Sequence, residues 1–75
     1  MKLRLCVIGC GGFARTFSKS LARARDQVEL HFASRDIGRA EAYSTEFGGA
    51  GAFGSYADAA NDPNIDALYI CTPHD

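Results

Sequence analysis

Apolar residues are grouped into four short runs separated by amphipathic stretches. "LRLCVIG" (Leu3–Gly9) is nearly unbroken and ends in glycine, the pattern of a strand buried on both faces of a parallel sheet. Phe13, Phe17, Leu21 and Ala24 then recur at helical spacing, which predicts a helix from Gly12 to about Arg25. "VELHFAS" (Val28–Ser34) reads as a second strand. Asp36 suits the N-cap of a second helix whose apolar stripe is Ile37, Ala40, Tyr43 and Phe47, and Gly48 suits its C-terminal stop. A short third strand fits near Ala50–Phe53. Ser55 caps a brief helix over Tyr56–Asn61, and "DPN" breaks the chain. "IDALYICT" (Ile65–Thr72) is a fourth strand that Pro73 ends.

The order is β-α-β-α-β-α-β with short connections. Such alternation makes a parallel, right-handed α/β sheet. There is no internal repeat, low-complexity segment or linker. At 75 residues the chain holds at most one small domain. It buries only about 60–65% of its unfolded surface, so its stability is expected to be marginal.

Composition removes several function classes. With 47% hydrophobic and 23% charged residues and a net charge of −1, neither disorder nor bulk-charge nucleic-acid binding is expected. No apolar run approaches the roughly 18 residues that span a bilayer, and the N-terminus does not read as a signal peptide. The expected location is cytoplasmic. Cys6, Cys10 and Cys71 form no C-x-x-C pair, which argues against a disulfide framework or a zinc site. Cys6 and Cys71 read as buried hydrophobes. Cys10 lies in a glycine turn, where a redox role is the minor alternative. Residues 1–25 hold Lys2, Arg4, Arg15, Lys19, Arg23 and Arg25 and no acid, while all nine acids follow. A nucleic-acid footprint is one reading of that basic third. The spacing of Arg15, Lys19 and Arg23 favours the other, a solvated helix face without interleaved aromatics.

The chemistry begins at "VIGCGGFARTF" (Val7–Phe17), a G-x-G-x-x-A pattern between the first strand and the first helix. That context is the one a dinucleotide-binding turn requires. Gly9 permits the tight turn, Gly11 lets a pyrophosphate approach the backbone, and Ala14 is small enough for close helix–strand packing. Gly12, Phe13 and Ala14 offer amide hydrogens at the positive end of the helix dipole. The alternative is a glycine bend without a ligand. The expected architecture is therefore a Rossmann-type doubly wound sheet of strand order 3-2-1-4.

NAD-binding sheets usually place an acid about 20 residues past the glycines, on the adenosine ribose. Here that position is Ser34, followed by Arg35. A hydroxyl and a guanidinium suit a 2′-phosphate, which an acid would repel. Arg39 adds a second positive charge one turn on. NADP is therefore preferred, with NAD as the other possible cofactor. Alternatively, Arg35 and Arg39 simply face water. Asp36 lies next door and offsets part of the effect.

Together "LCVIGCGGFA", "FASRDIGRAEAYSTEFG" and "GSYADAANDPNIDALYICTPHD" resemble the N-terminal domain of the glucose–fructose oxidoreductase / inositol 2-dehydrogenase / rhizopine-catabolism (Gfo/Idh/MocA) family. The resemblance spans essentially all of the chain. It implies an NAD(P)-dependent oxidoreductase acting on a sugar, cyclitol or related hydroxyl or carbonyl compound. It also implies that Gly9, Gly11, Gly12, Phe13 and Ala14 hold the pyrophosphate and Ser34, Arg35 and Arg39 the adenosine end. Cys71, Thr72, Pro73 and His74 would run beside the cofactor at the end of the fourth strand. In the family that loop lines the cofactor, so His74 is not assigned a catalytic role, and His31 reads as structural. The family's Glu-Lys-Pro lysine and its later histidine are not in this sequence. The expectation is a fragment, residues 1–75, forming the N-terminal portion of the dinucleotide-binding domain, truncated after the fourth strand and without catalytic residues of its own. An exposed fourth-strand edge would then invite self-association. The rival reading is a non-catalytic NAD(P)-binding sensor.

Overall fold

The computed structural model describes residues 2–9, 12–24 and 26–70, and of residues 12–15, 17 and 22 the backbone alone. The elements are β1 (Leu3–Ile8), α1 (Gly12–Leu21), a 3-10 turn (Ala22–Ala24), β2 (Val28–Ala33), α2 (Ile37–Phe47), β3 (Gly51–Phe53), α3 (Tyr56–Asn61) and β4 (Ala67–Ile70). All four strands are parallel, in the order β3-β2-β1-β4. This is the doubly wound arrangement expected from the alternation.

Register follows from which residues each face must bury. Leu5 and Val7 lie opposite Leu30 and Phe32, and Cys6 and Ile8 opposite His31 and Ala33. The first set builds a core with Ala40 and Tyr43 of α2, onto which Leu21 of α1 and Phe47 also pack. Phe32, Tyr43 and Phe47 form a triangle of rings with centroids 5.7–6.2 Å apart, two of the contacts edge-on, a geometry favoured by the ring quadrupole. The second set, Cys6, Ile8 and Ala33, meets Ala59 of α3, with Phe53, Tyr56 and Ile65 around it. Burial on both faces is why β1 reads as an unbroken apolar run.

Helix ends follow the expected residues. Asp36 accepts from the Gly38 amide (3.0 Å), and Ser55 accepts from the Asp58 amide (3.1 Å). Gly48 closes α2 with φ 68, a left-handed conformation that suits glycine. Gly49 is needed for a different reason: a Cβ there would sit 3.0 Å from the Phe32 ring and 3.1 Å from the Leu30 carbonyl oxygen.

Four details differ from the expectation. The first helix ends at Leu21 and tightens into a 3-10 turn, the usual way an α-helix terminates, and the Gln27 amide donates to the Ala24 carbonyl (2.8 Å). The third strand begins one residue later, at Gly51. Ile37 is 45% exposed and does not join the buried stripe of α2. As the first helical residue it lies at the turn back from β2, beside Gly54. The fourth strand starts at Ala67, because Ile65 turns into the α3 side of the core and Asp66 is held by Arg4. Arg4 donates to the Asp66 carboxylate from its backbone amide (2.8 Å), Nε (3.2 Å) and Nη2 (3.1 Å), and the Asp66 amide returns a bond to the Arg4 carbonyl (2.7 Å).

Candidate cofactor site

Parallel strands in register finish at one edge of the sheet. Ile8 lies opposite both Ala33 and Ile70, and Ala33 opposite Phe53. The residues that leave β1 and β2, Gly9 and Ser34, therefore emerge side by side. In open α/β sheets this carboxyl edge is where ligands bind.

Gly9 extends the β1–β2 ladder by one bond, its amide donating to the Ala33 carbonyl (2.9 Å). Its φ is 86, so the chain turns out of the strand through a conformation that side chains disfavour. Gly12, Phe13 and Ala14 form the first turn of α1, whose leading amides have no partner within the helix. That turn contains no acid. A positive helix end without a carboxylate is an environment for an anion. Gly11 of the pattern lies outside the described residues, as does Cys10.

Ser34 is buried at the end of β2, and its amide donates to the Phe53 carbonyl (3.2 Å), holding the second crossover against β3. Its Oγ accepts from the Asp36 amide (3.2 Å). A hydroxyl that accepts this bond still has its own proton to donate. The carbonyl of Asp36 receives the Arg39 (3.0 Å) and Ala40 (3.2 Å) amides, so residues 34–40 are tied down along the backbone. Arg35 and Arg39 are exposed, and neither has an ion pair or side-chain hydrogen bond among the described residues. Gly9 and Ser34 thus lie side by side at this edge, with the start of α1 following the first in sequence and Arg35 and Arg39 following the second. Cys71, Thr72, Pro73 and His74 lie outside the described residues.

Two polar contacts away from this edge were not anticipated. One is the Arg4–Asp66 pair, whose hydrogen bonds hold the Asp66 carboxyl below its ordinary value and the Arg4 guanidinium above its own. The other joins His31 Nε2 to Glu29 Oε2 (2.9 Å) on the same face of β2. Cys6 is fully buried, as expected. Among the described residues no group of three or more His, Cys, Asp or Glu could hold a metal, and no helix is long and apolar enough to cross a membrane.

Residues 3–75 match an oxidoreductase family with an NAD-binding Rossmann fold, Gfo/Idh/MocA. The chain belongs to this family. A relative in Mus musculus, trans-1,2-dihydrobenzene-1,2-diol dehydrogenase, is 38% identical over 99% of the chain, and the chain spans 23% of that relative's length. Myo-inositol dehydrogenase from Lactobacillus casei, solved in complex with NAD(H) and myo-inositol, superposes with a TM-score of 0.83 at 26% identity. That superposition covers 96% of this chain and 22% of the larger one. A 3-ketoreductase variant from Actinomadura kijaniata, in complex with TDP-benzene and NADP, gives a TM-score of 0.81 at 28% identity, over 97% of this chain and 23% of that one. As a Gfo/Idh/MocA member the chain carries the family's NAD(P)-binding Rossmann fold.

Proposed function

We propose that residues 1–75 form the N-terminal portion of the dinucleotide-binding domain of an oxidoreductase, and that this portion prefers NADP to NAD. The nicotinamide, when bound, supplies hydride exchange with a sugar, cyclitol or related hydroxyl or carbonyl compound. This chain contributes grip and orientation. The backbone of Gly9, Gly11 and Gly12–Ala14 takes the pyrophosphate, and Cys71, Thr72, Pro73 and His74 run beside the cofactor. None of these residues is assigned acid–base work.

One observation carries the NADP preference: β2 ends in a hydroxyl with a spare proton, followed in the chain by two exposed arginines whose side chains have no partner among the described residues. A planar guanidinium matches a phosphate with paired donors, whereas unphosphorylated ribose hydroxyls gain little from it. A hydrogen bond to a charged group is worth roughly 1.5–3 kcal/mol, or about one to two powers of ten in affinity.

Calorimetric titration of the protein with NADPH and with NADH tests the reading. NADPH is expected to bind more tightly. Arg35→Ala should weaken NADPH about tenfold or more while changing NADH less than about twofold. Equal affinities in the unmodified protein would overturn the preference.

A further inference from the structure

Asp36 follows Arg35 directly in the chain, and its carboxylate has a fixed place. Oδ1 accepts from the Gly38 amide at 3.0 Å, while the Asp36 amide is anchored to Ser34 Oγ at 3.2 Å. The cap needs an acceptor there and not a charge, since Asn and Ser cap helices about as well as Asp. The negative charge therefore exceeds what α2 requires, and it is exposed one residue from Arg35.

We infer that Asp36 is a selectivity-setting residue: its capped carboxylate weakens the hold of the Arg35 rim on a 2′-phosphate and so keeps the preference for NADP over NAD shallow. The inference rests on the reading of Arg35 as a phosphate contact. The physical argument is one of unequal repulsion. A 2′-phosphate adds up to two negative charges at the rim, where NAD presents neutral hydroxyls. A unit charge about 7 Å from a dianion in water changes its binding by about five- to tenfold. The pyrophosphate, common to both nucleotides, is expected at the glycine turn, so it feels the carboxylate of Asp36 about equally in either one. Pinning by the cap matters here. A free aspartate could swing onto Arg35 and neutralise it, whereas this one is held to the helix and lets the guanidinium remain available.

Asp36→Asn keeps the acceptor and deletes the charge, and Asp36→Ser does the same with a shorter side chain, so either variant serves if the other folds poorly. Titrations with NADPH and NADH are run at low and at high salt, with melting temperature as the control for the cap. The expected result is NADPH bound about fivefold more tightly at low salt, with NADH changed less than twofold. The gain should shrink toward unity near 1 M salt, where charges are screened within about 3 Å. A purely structural role for Asp36 would shift both nucleotides together and would not depend on salt. Unchanged or weaker NADPH binding, or equal tightening of both nucleotides, overturns the inference. The two readings fail separately. If Arg35→Ala erases the NADPH preference but the Asp36 variants leave NADPH unchanged, the phosphate contact stands and the role of Asp36 falls.

Discussion

At the residue scale, the candidate site depends on one backbone conformation and two uncommitted cations. Gly9 is buried with φ 86 at the point where β1 gives way to the glycine turn. A left-handed conformation costs an L side chain roughly 1–2 kcal/mol. Gly9→Ala is therefore expected to lower stability by about that amount in urea denaturation. An unchanged midpoint would mean that the turn relaxes and does not need glycine. Arg35 and Arg39 differ in kind from Gly9. They are exposed and unpaired among the described residues, so their substitution should be nearly silent in stability and visible only in nucleotide binding.

At the scale of elements, β4 joins β1 through a four-pair ladder and through an ion pair at its start. It has four residues, and the Arg4–Asp66 pair joins the strands just before them. The carboxyl of Asp66 is held below its ordinary value of 3.8 mainly by the side-chain bond from Arg4, then by the Arg4 amide. A depressed carboxylate contributes stability that is fully present above its ordinary value and is lost as pH falls through the folded one. Acid titration of the unmodified protein should thus show stability falling from about pH 4 downward. Asp66→Asn, which cannot ionise, should lose that part of the slope and start from a lower plateau at neutral pH. A variant with the same acid profile as the original would remove Asp66 from the account. This clamp was not legible in the sequence, because 62 residues separate its partners and neither sits in a local pattern. What is local was legible. Period and caps gave all four strands, the three helices, and the N-caps Asp36 and Ser55. Alternation gave the strand order. The exposure of Ile37 was not legible, since its spacing suits the stripe and only the position of the first helical turn removes it from the core. Ser18 is a similar case: a hydroxyl buried inside α1 without a partner among the described residues, which no spacing rule for polar residues would place there. The position of the candidate edge was legible because its residues are set by sequence-local rules, a glycine turn after one strand and a cation after the next.

At the scale of the whole molecule, the two faces of the sheet are covered unequally. α1 and α2 lie over Leu5, Val7, Leu30 and Phe32, whereas among the described residues the other face is covered by one helix, the six-residue α3, with Ile65 beside it. Leu68 and Ile70, which share a face with Cys6 and Ile8, are left 43% and 66% exposed. Among the described residues the outer edge of β4 has no strand beside it. Apolar side chains next to an open strand edge favour pairing between chains. Light scattering on the 75-residue chain is expected to show association that grows with concentration, and Ile70→Lys should reduce it without changing the sheet. A chain that stays monomeric at about millimolar concentration would count against that edge as a contact.

The ladder of bonds through Ser34, Asp36 and the α2 amides has an evolutionary consequence. It fixes the path of residues 34–40 with backbone groups and two short side chains, and it asks nothing of positions 35 and 39. Mutation can therefore exchange the side chains that the proposed reading assigns to the adenosine end while the scaffold beneath them stays still. Cofactor preference in such a fold can drift nearly free of stability, one exposed residue at a time, and the barrier to changing it lies in function alone.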